Sequence, residues 1–341
     1  MTITIDNAAA MSTQAERDIQ AQAFWVIAPG RGELREETII APTSSEVRVK
    51  ASYSGISRGT ESLVFRGDVP ESEFQRMRAP FQSGDFPGPL KYGYASVGRV
   101  IDGSPSMIDK RVFCLFPHQS CYTVPERAVI ALPNAVPTGR AVLAANMETA
   151  LNGLWDSAAS AGDRISVVGG GVVGALLAWL AGQLPGTEVT LIDTNPTRQS
   201  LADALGVQFA RPDEAIGGQD VVVHTSASAA GLNTALHLAG DEARVVEMSW
   251  YGKTWPPVAL GEAFHARRLQ LISSQVGQLP ALRRPRWDYR RRLSKAIALL
   301  VDPALDVLIS GESPLGDLPA LMPRLSEGPS DILCHRICYA D

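Results

Sequence analysis

The segment from Ile165 to Asp193 constrains the fold more than any other part of the chain. A short apolar strand, Ile165 to Val168, runs into Gly169, Gly171 and Gly174 at G-x-G-x-x-G spacing. An apolar helix, a second strand and an acidic residue then follow in that order. This order is typical of the βαβ unit that binds a dinucleotide.

Each glycine has its own physical reason. Gly169 permits a tight turn, Gly171 lets the backbone approach a pyrophosphate, and Gly174 lets the helix and strand pack closely. The helix begins at Val172 and Val173, where free N–H groups and the positive end of the helix dipole face the phosphates. The turn therefore predicts a dinucleotide site.

Asp193 lies 19 positions after the last glycine of the motif. A carboxylate there accepts hydrogen bonds from the adenosine ribose and repels a 2′-phosphate, which predicts NAD(H) in preference to NADP(H). The neighbouring Thr194 and Asn195, placed before Pro196, indicate a helix start. Arg198 either lies over the adenine or forms a surface salt bridge.

Composition sets wider limits. A chain of 341 residues with 45% hydrophobic content can bury a large core and is long enough for two domains. The net charge of -5 argues against nucleic-acid binding, and no apolar run reaches the roughly 18 residues of a membrane span. Because the first 20 residues lack a signal-peptide pattern, we expect a disordered leader on a cytoplasmic protein. The four cysteines predict reduced thiols rather than a disulfide framework.

The texture of the chain predicts an α/β protein of two domains. From about 160 to 276, apolar strands alternate with helices, which predicts a doubly wound parallel sheet of the Rossmann type over 139–279. Short β-branched runs interrupted by Gly and Pro over 22–135 instead predict an antiparallel β-barrel. We assign 21–138 and 280–341 to that barrel domain.

Three segments resemble the medium-chain dehydrogenase/reductase superfamily, and the resemblance extends from about 23 to 340. They are SGISRGTE (54–61), YGYASVGRV (92–100) and METALNGL (147–154). Within the superfamily they look most like bacteriochlorophyllide hydroxyethyl dehydrogenases and uncharacterised zinc-binding dehydrogenases. The resemblance implies a GroES-like catalytic barrel joined to the Rossmann domain.

The chain departs from the superfamily at the positions that correspond to its catalytic zinc ligands. Ser57 stands in place of a Cys, Tyr94 and Ala95 replace a His-Glu pair, and Ala145 lies where the third ligand is expected. Neutral Ser, Tyr and Ala side chains cannot replace thiolate, imidazole or carboxylate ligands. We therefore expect no metal, and no zinc in particular.

Without a Lewis acid, hydrogen-bond donors must stabilise the reacting oxygen. Thr60 corresponds to the superfamily's proton relay, and Tyr94 either donates its phenol to the substrate oxygen or fills the space of the metal. His118 either shuttles a proton or lies in a surface loop. Glu61 is a candidate to orient Arg58, which either reaches the cofactor pyrophosphate or only forms that ion pair.

Other candidate cofactor contacts lie on the entering helix and at strand ends. The resemblance implies that Thr149 contacts the nicotinamide. Strand ends on the ligand-binding edge of the sheet carry Thr225, Ser226, Met248, Ser249 and Ser274. The arginine-rich segment 283–292 either binds an anionic group or forms a solvated or subunit-facing surface.

These observations predict a zinc-independent, NAD(H)-dependent oxidoreductase that transfers a hydride between nicotinamide and an alcohol or carbonyl substrate. A quinone or enoyl reductase of the same superfamily is one alternative, and a non-catalytic dinucleotide sensor or scaffold is another. The expected partner is a small molecule, with no nucleic acid and no membrane. Segment 268–277 resembles a strand that pairs across a two-fold axis, which predicts a homodimer or a dimer of dimers.

Overall fold

The computed structural model describes residues 18–328 and 331–340, which form two compact units. One unit comprises Met1–Val142 and Gly311–Asp341, and the other comprises Leu143–Ser310. The predicted return to the barrel at residue 280 is therefore wrong, because the chain stays in the second unit until Ser310. Residues 1–17 of the predicted leader lie outside the described residues, and the first strand already begins at Ile19.

The first unit is built from antiparallel strands, as the Gly- and Pro-interrupted β-branched runs predict. They are β1 (Ile19–Ala28), β2 (Arg31–Ile39), β3 (Glu46–Ile56), β4 (Ser83–Gly84), β5 (Leu90–Lys91), β6 (Ser96–Asp102), β7 (Arg111–Cys114), β8 (Cys121–Pro125), β9 (Val129–Ala131), β16 (Ile309–Pro314) and β17 (Cys334–Cys338). One sheet has the order β2-β1-β5-β4, and the other has the order β16-β17-β3-β6-β7-β9 with β8 also paired to β3.

Strand β3 is the centre of this unit, because it pairs with β6, β8 and β17. Val47 and Val49 of β3 point into a fully buried apolar cluster, where Phe116 stacks on Tyr122 with ring centroids 3.9 Å apart. In the described part of this unit there are two α-helices, α1 (Arg58–Arg66) and α7 (Leu318–Ser326). The sheet order thus brings the carboxyl-terminal strand β17 against β3.

The second unit is the predicted doubly wound parallel sheet. Its strands are β10 (Arg164–Val168), β11 (Glu188–Ile192), β12 (Gln208–Ala210), β13 (Gln219–His224), β14 (Ala239–Glu247) and β15 (Gln270–Ser273). They lie in the order β12-β11-β10-β13-β14-β15 and all pair in parallel. In such a sheet, ligands bind at the carboxyl ends of the strands beside β10, where the order reverses.

Five helices belong to the second unit: α2 (Ala144–Ser157), α3 (Val172–Gly182), α4 (Arg198–Leu205), α5 (Ala229–Leu238) and α6 (Tyr289–Leu299). Helix α6 is fixed to α2 by Arg292, a buried side chain whose Nε donates to Glu148 Oε1 at 3.0 Å. Arg292 also donates to the carboxamide oxygen of Asn152 and to the carbonyl of Val276. These bonds explain why segment 280–310 stays in this unit. No helix in the described part of the chain is both long enough and apolar enough to cross a bilayer.

Candidate active site

The glycine-rich turn joins β10 to α3, and each glycine meets a different local demand. Gly169 has a φ of +116°, a conformation that side chains rarely adopt. A Cβ on Gly174 would lie 2.0 Å from the carbonyl oxygen of Gly169, so only glycine lets α3 start this close to the turn. A Cβ on Gly171, the residue before Val172 and Val173, would meet nothing within 4 Å, which leaves open space beside the amino end of the helix.

Asp193 lies directly beside this turn. Its Oδ2 accepts a hydrogen bond from the backbone N–H of Gly170 at 2.6 Å, and its Oδ1 accepts one from Asn195 at 2.8 Å. A side chain on Gly170 would meet both Asp193 Oδ2 and Cγ of Arg198 at 3.1 Å. The carboxylate and the glycine-rich turn are thus held together before any ligand binds.

The segment that follows Asp193 differs from its prediction in two details. Helix α4 begins at Arg198, two positions after the expected first residue Pro196, and Asn195 Oδ1 accepts from the N–H of Thr197 in the turn that leads into it. Arg198 is buried, so its proposed surface salt bridge is wrong. Thr194 is exposed.

The candidates at the later strand ends divide into two groups. Thr225 lies at the glycine-rich turn, where its Oγ1 donates to the carbonyl of Gly169 at 2.8 Å. Ser226 follows it, and its backbone nitrogen would be 2.7 Å from a Cβ on Gly169. Met248 instead packs against Gly153 of α2, and Ser274 donates to Asp156 Oδ2 at 2.6 Å. The structure therefore brings Thr225 and Ser226 to the turn and gives Met248 and Ser274 packing partners of their own.

A buried histidine that the sequence did not single out supports two of these serines. His224 Nδ1 lies 2.7 Å from Glu247 Oε2, and His224 Nε2 lies 2.6 Å from Ser226 Oγ. Ser249 donates its N–H to Glu247 Oε1 at 2.7 Å. Burial alone would raise the pKa of Glu247, but hydrogen bonds from His224 and Ser249 and the charge of His224 lower it below its usual value. The cluster holds Ser226 and Ser249 in fixed positions.

Thr149 occupies α2 as the resemblance implies. Its Oγ1 donates to the carbonyl of Ala145 one turn earlier, at 3.0 Å. This bond uses the hydroxyl hydrogen and leaves the oxygen as an acceptor.

The barrel unit places Tyr94 among hydroxyl groups. Burial and the charge of Glu61 raise the pKa of Tyr94 to about 12, although hydrogen bonds with the side chains of Ser57 and Thr60 lower it. The phenol is therefore neutral near pH 7 and able to donate a hydrogen bond. Tyr92 packs edge-on against Tyr94, with ring centroids 6.0 Å apart.

His118 is 1% exposed, so the surface-loop alternative is wrong. Its Nε2 lies 2.8 Å from Glu61 Oε2, and its Nδ1 lies 2.7 Å from Ser54 Oγ. Ser54 Oγ in turn lies 2.8 Å from the phenol of Tyr339. Sequence reasoning had no signal for Ser54 or Tyr339, which are far apart along the chain.

The guanidinium of Arg58 donates to the carbonyl of Leu325 at 3.0 Å and to the carbonyl of Gly328, so it binds the end of α7. Glu61 accepts from the N–H of Ser57 at 2.8 Å and lies 2.8 Å from Nε2 of His118. The ion pair of Arg58 with Glu61 stays a prediction.

The arginine-rich segment has two kinds of member. Arg292 is buried in the α2–α6 contact. Arg291 lies over the ring of Trp287 and Arg283 over that of Trp155, at 4.0 and 5.1 Å from the ring centroids. These contacts give the segment a packing role within its own unit.

The residues at the superfamily's zinc positions do not suit zinc. Ser57, Tyr94 and Ala145 offer two neutral oxygens and a methyl group, and the raised pKa of Tyr94 opposes the phenolate that a metal would need. Among residues 18–328 and 331–340, no group of three or more His, Cys, Asp and Glu side chains has the arrangement of a metal site. Burial also raises the pKa of Cys114 and of Cys334 to about 12, so these thiols stay protonated.

Comparison with known proteins gives relatives but no matching family model. The chain is 25% identical over 336 residues to the 2-dehydro-3-deoxy-L-galactonate 5-dehydrogenase of Pseudoalteromonas atlantica, covering 89% of this chain and 94% of the relative. It is 30% identical over 175 residues to an uncharacterized zinc-type alcohol dehydrogenase-like protein of Escherichia coli, covering 48% of this chain and 49% of the relative.

Among solved structures, the chain is similar to a zinc-binding dehydrogenase of Sinorhizobium meliloti bound to NADP. The TM-score is 0.76 at 18% identity, and the match covers 94% of this chain and 99% of the other. The predicted combination of a GroES-like barrel and a Rossmann domain is confirmed. The comparisons do not confirm zinc independence, and the zinc-type relative counts against it.

Proposed function

We propose that this chain, a dehydrogenase of the medium-chain dehydrogenase/reductase superfamily by its fold and its curated relatives, oxidises an alcohol or reduces a carbonyl with NAD(H) and without zinc. The observation that carries the proposal is the neutral phenol of Tyr94, surrounded by the Ser57 and Thr60 hydroxyls at a position where the superfamily has a metal ligand. A set of hydroxyl donors at that position supplies what the metal would otherwise supply.

The cofactor is expected at the glycine-rich turn of the Rossmann unit. The N–H groups of Val172 and Val173 suit a pyrophosphate, and the open space at Gly171 accommodates it. Asp193 suits a ribose diol and disfavours a 2′-phosphate, which supports NAD(H) although one structural neighbour holds NADP. When bound, the nicotinamide supplies or accepts the hydride.

Thr225, Ser226 and Ser249 are proposed to contact the nicotinamide side of the cofactor. Ser226 lies beside Gly169, and His224 fixes the direction of its hydroxyl. The Ser249 hydroxyl accepts from the N–H of Ala227 at 3.0 Å. Thr149 has an acceptor oxygen for the same purpose. Arg198 is proposed to contact the cofactor beside Asp193, because both side chains lie next to Gly170.

In the barrel unit, Tyr94 is proposed to donate its phenol hydrogen to the substrate oxygen. Negative charge develops on that oxygen when a carbonyl accepts hydride, and a preorganised donor stabilises it. Thr60, which belongs to the same cluster of hydroxyls, is proposed to donate a second hydrogen bond to that oxygen. We propose that the buried pair of Glu61 and His118 exchanges the proton that the alcohol loses or gains, because Glu61 Oε1 accepts a hydrogen bond from the N–H of Ser57, one of the residues that surround Tyr94.

The experiment combines metal analysis with an activity survey on protein made without a metal-binding tag. We expect no stoichiometric zinc, activity that resists chelators, and NADH-linked turnover of hydroxy or keto compounds. One zinc per chain would contradict the metal-free site. Turnover only of conjugated carbonyls would favour an enoyl or quinone reductase, and nucleotide binding without turnover of either class would favour a sensor or scaffold.

A homodimer or dimer of dimers is proposed through β15. This strand is at the edge of the six-stranded sheet, and its Leu271 and Ile272 are only partly buried. An edge strand leaves backbone N–H and C=O groups unpaired, and pairing with a second copy across a two-fold axis satisfies them.

A further inference from the structure

Four hydrogen bonds in the barrel unit form a path that ends at the carboxylate of Glu61. The phenol of Tyr339 lies 2.8 Å from Ser54 Oγ, which lies 2.7 Å from His118 Nδ1. His118 Nε2 lies 2.8 Å from Glu61 Oε2, and the N–H of Ser57 donates to Glu61 Oε1 at 2.8 Å. Ser54, His118 and Glu61 are each less than 5% exposed.

With a neutral imidazole beside an ionised carboxylate, every bond in this hydrogen-bond path has one direction. The carboxylate only accepts hydrogen bonds, so Nε2 of His118 then carries the hydrogen. The other nitrogen of a neutral imidazole is then an acceptor, so Ser54 donates to Nδ1. With its own hydrogen committed, Ser54 accepts from Tyr339. All the donors therefore point towards Glu61.

Gly93 packs closely against one side of the imidazole. Gly93 faces the ring with a φ of +128°, and a Cβ there would lie 3.1 Å from His118 Cδ2 and 3.2 Å from Nε2. The carbonyl of His118 accepts from the N–H of Phe24 at 3.0 Å, which holds its backbone to β1. Tyr339 is itself held by its N–H, which donates to the carbonyl of Ser52.

We propose that Glu61 is the acid–base group of the reaction, acting through the hydroxyls of Tyr94 and Thr60, and that His118, Ser54 and Tyr339 hold its carboxylate in place. This assignment rests on the proposed function and changes the role of His118. The histidine is a fixed donor to Glu61 rather than the carrier of the proton.

The proposed step balances. In alcohol oxidation the substrate O–H bond breaks, and its proton passes through the hydroxyls of Tyr94 and Thr60 to an oxygen of Glu61. The C–H electron pair leaves as hydride to the oxidised nicotinamide, so the alcohol is oxidised and the cofactor reduced. In carbonyl reduction the same proton returns. Ser57 links the two groups, because its N–H donates to Glu61 Oε1 at 2.8 Å and its side chain hydrogen-bonds to Tyr94.

The first experiment compares Glu61→Gln with His118→Gln. Glutamine at 61 keeps the shape of the side chain but cannot accept a proton, so we expect kcat for alcohol oxidation to fall by about 100-fold or more. Glutamine at 118 keeps an N–H donor but cannot titrate, so we expect a loss below about 10-fold. Glu61→Asp should recover part of the activity. A large loss in His118→Gln with little loss in Glu61→Gln would overturn the proposal.

The second experiment needs no substrate. Nitrogen NMR of the full chain should show His118 as the neutral tautomer with hydrogen on Nε2, at the pH of the assay. An Nδ1–H tautomer or an imidazolium would overturn the proposal even if a Glu61 variant failed to fold.

The third experiment tests the Tyr339 end of the hydrogen-bond path with a matched control. Tyr339→Phe removes the donor to Ser54, whereas Tyr122→Phe removes a tyrosine-to-serine bond of 3.1 Å to Ser96, which faces Ser54 across β3 and β6 but is not a member of the hydrogen-bond path. We expect comparable losses of Tm, but only Tyr339→Phe should alter the His118 spectrum and the pH profile of kcat. The titratable groups that face this path are Tyr92, Tyr94, Tyr122, Cys334 and Cys338. Identical spectra and profiles in both variants would remove Tyr339 from the proposal.

These outcomes distinguish a failure of the proposed function from a failure of the Glu61 assignment. Absence of dehydrogenase turnover in the wild type would refute the proposed function, while the NMR result would still report on the hydrogen-bond chain. Normal wild-type turnover with an unaffected Glu61→Gln variant would refute only the assignment of Glu61.

Discussion

Removing Arg292 should destabilise the Rossmann unit more than any exposed substitution on the same helix. The side chains of Arg292 and Glu148 are 2% and 7% exposed, and Nε lies 3.0 Å from the carboxylate. Truncating one member of a buried ion pair leaves the other charge uncompensated, at a cost of about 3–5 kcal/mol. Arg292→Met keeps most of the volume and deletes the charge together with the hydrogen bonds to Asn152 and Val276.

The assay is chemical denaturation of Arg292→Met, with Lys295→Met on the same helix as the control. Lys295 is exposed, so the control should change the free energy of unfolding by less than about 0.5 kcal/mol. Adding Glu148→Gln to Arg292→Met removes the orphaned charge and should recover about 2 kcal/mol or more. A loss below about 1 kcal/mol in Arg292→Met would refute the reasoning.

The pH dependence of this variant has a definite sign. Burial raises the pKa of Glu148, and the charge and hydrogen bond of Arg292 oppose that rise. Without Arg292 the folded state binds the proton more tightly than the unfolded state, so stability falls as pH rises above the unfolded-state value. The deficit of Arg292→Met relative to the wild type should therefore be smaller near pH 5 than near pH 8.

Three further predictions follow from the described contacts. Asp193 predicts a lower Kd for NADH than for NADPH, and Asp193→Ala should narrow the difference; equal affinities in the wild type would contradict the assignment. Because burial raises the pKa of Cys114 and Cys334 to about 12 and that of Cys121 to about 11, native protein at pH 8 should show at most one rapidly alkylated thiol, Cys338. Light scattering should give a dimer or tetramer, and a lysine in place of the β15 residue Ile272 should shift it towards monomer; a wild-type monomer at micromolar concentration would exclude pairing through this edge.

Local patterns in the sequence were enough to predict the Rossmann unit. The apolar runs gave the strands, and glycine spacing gave the turn, because both depend on residues close together in the chain. Gly169 and Gly174 have the conformational and packing roles that the motif predicts. The carboxyl boundary of the unit was missed because it depends on the contact of Arg292 with Glu148, which lie 144 positions apart.

Side-chain partnerships in the barrel were harder to predict for the same reason. Glu61 lies three positions after Arg58 on α1, and this proximity in sequence suggested an ion pair. The fold brings Glu61 into contact with His118, which lies 57 positions later in the chain. Tyr339 meets Ser54 across 285 positions only because β17 pairs with β3. Sequence identified Tyr94, Thr60 and His118 as candidates, and the pairing of strands determined which groups face them.

The central claim is that a tyrosine phenol takes over the work of the missing metal. Tyr94→Phe tests it most directly, because the substitution keeps the ring against Tyr92 and deletes only the hydroxyl. We predict a fall in turnover on the order of 100-fold or more with little change in Tm, since loss of one oxyanion donor costs about that much. Unchanged turnover in Tyr94→Phe would leave the tyrosine as a space-filling residue and would contradict the account.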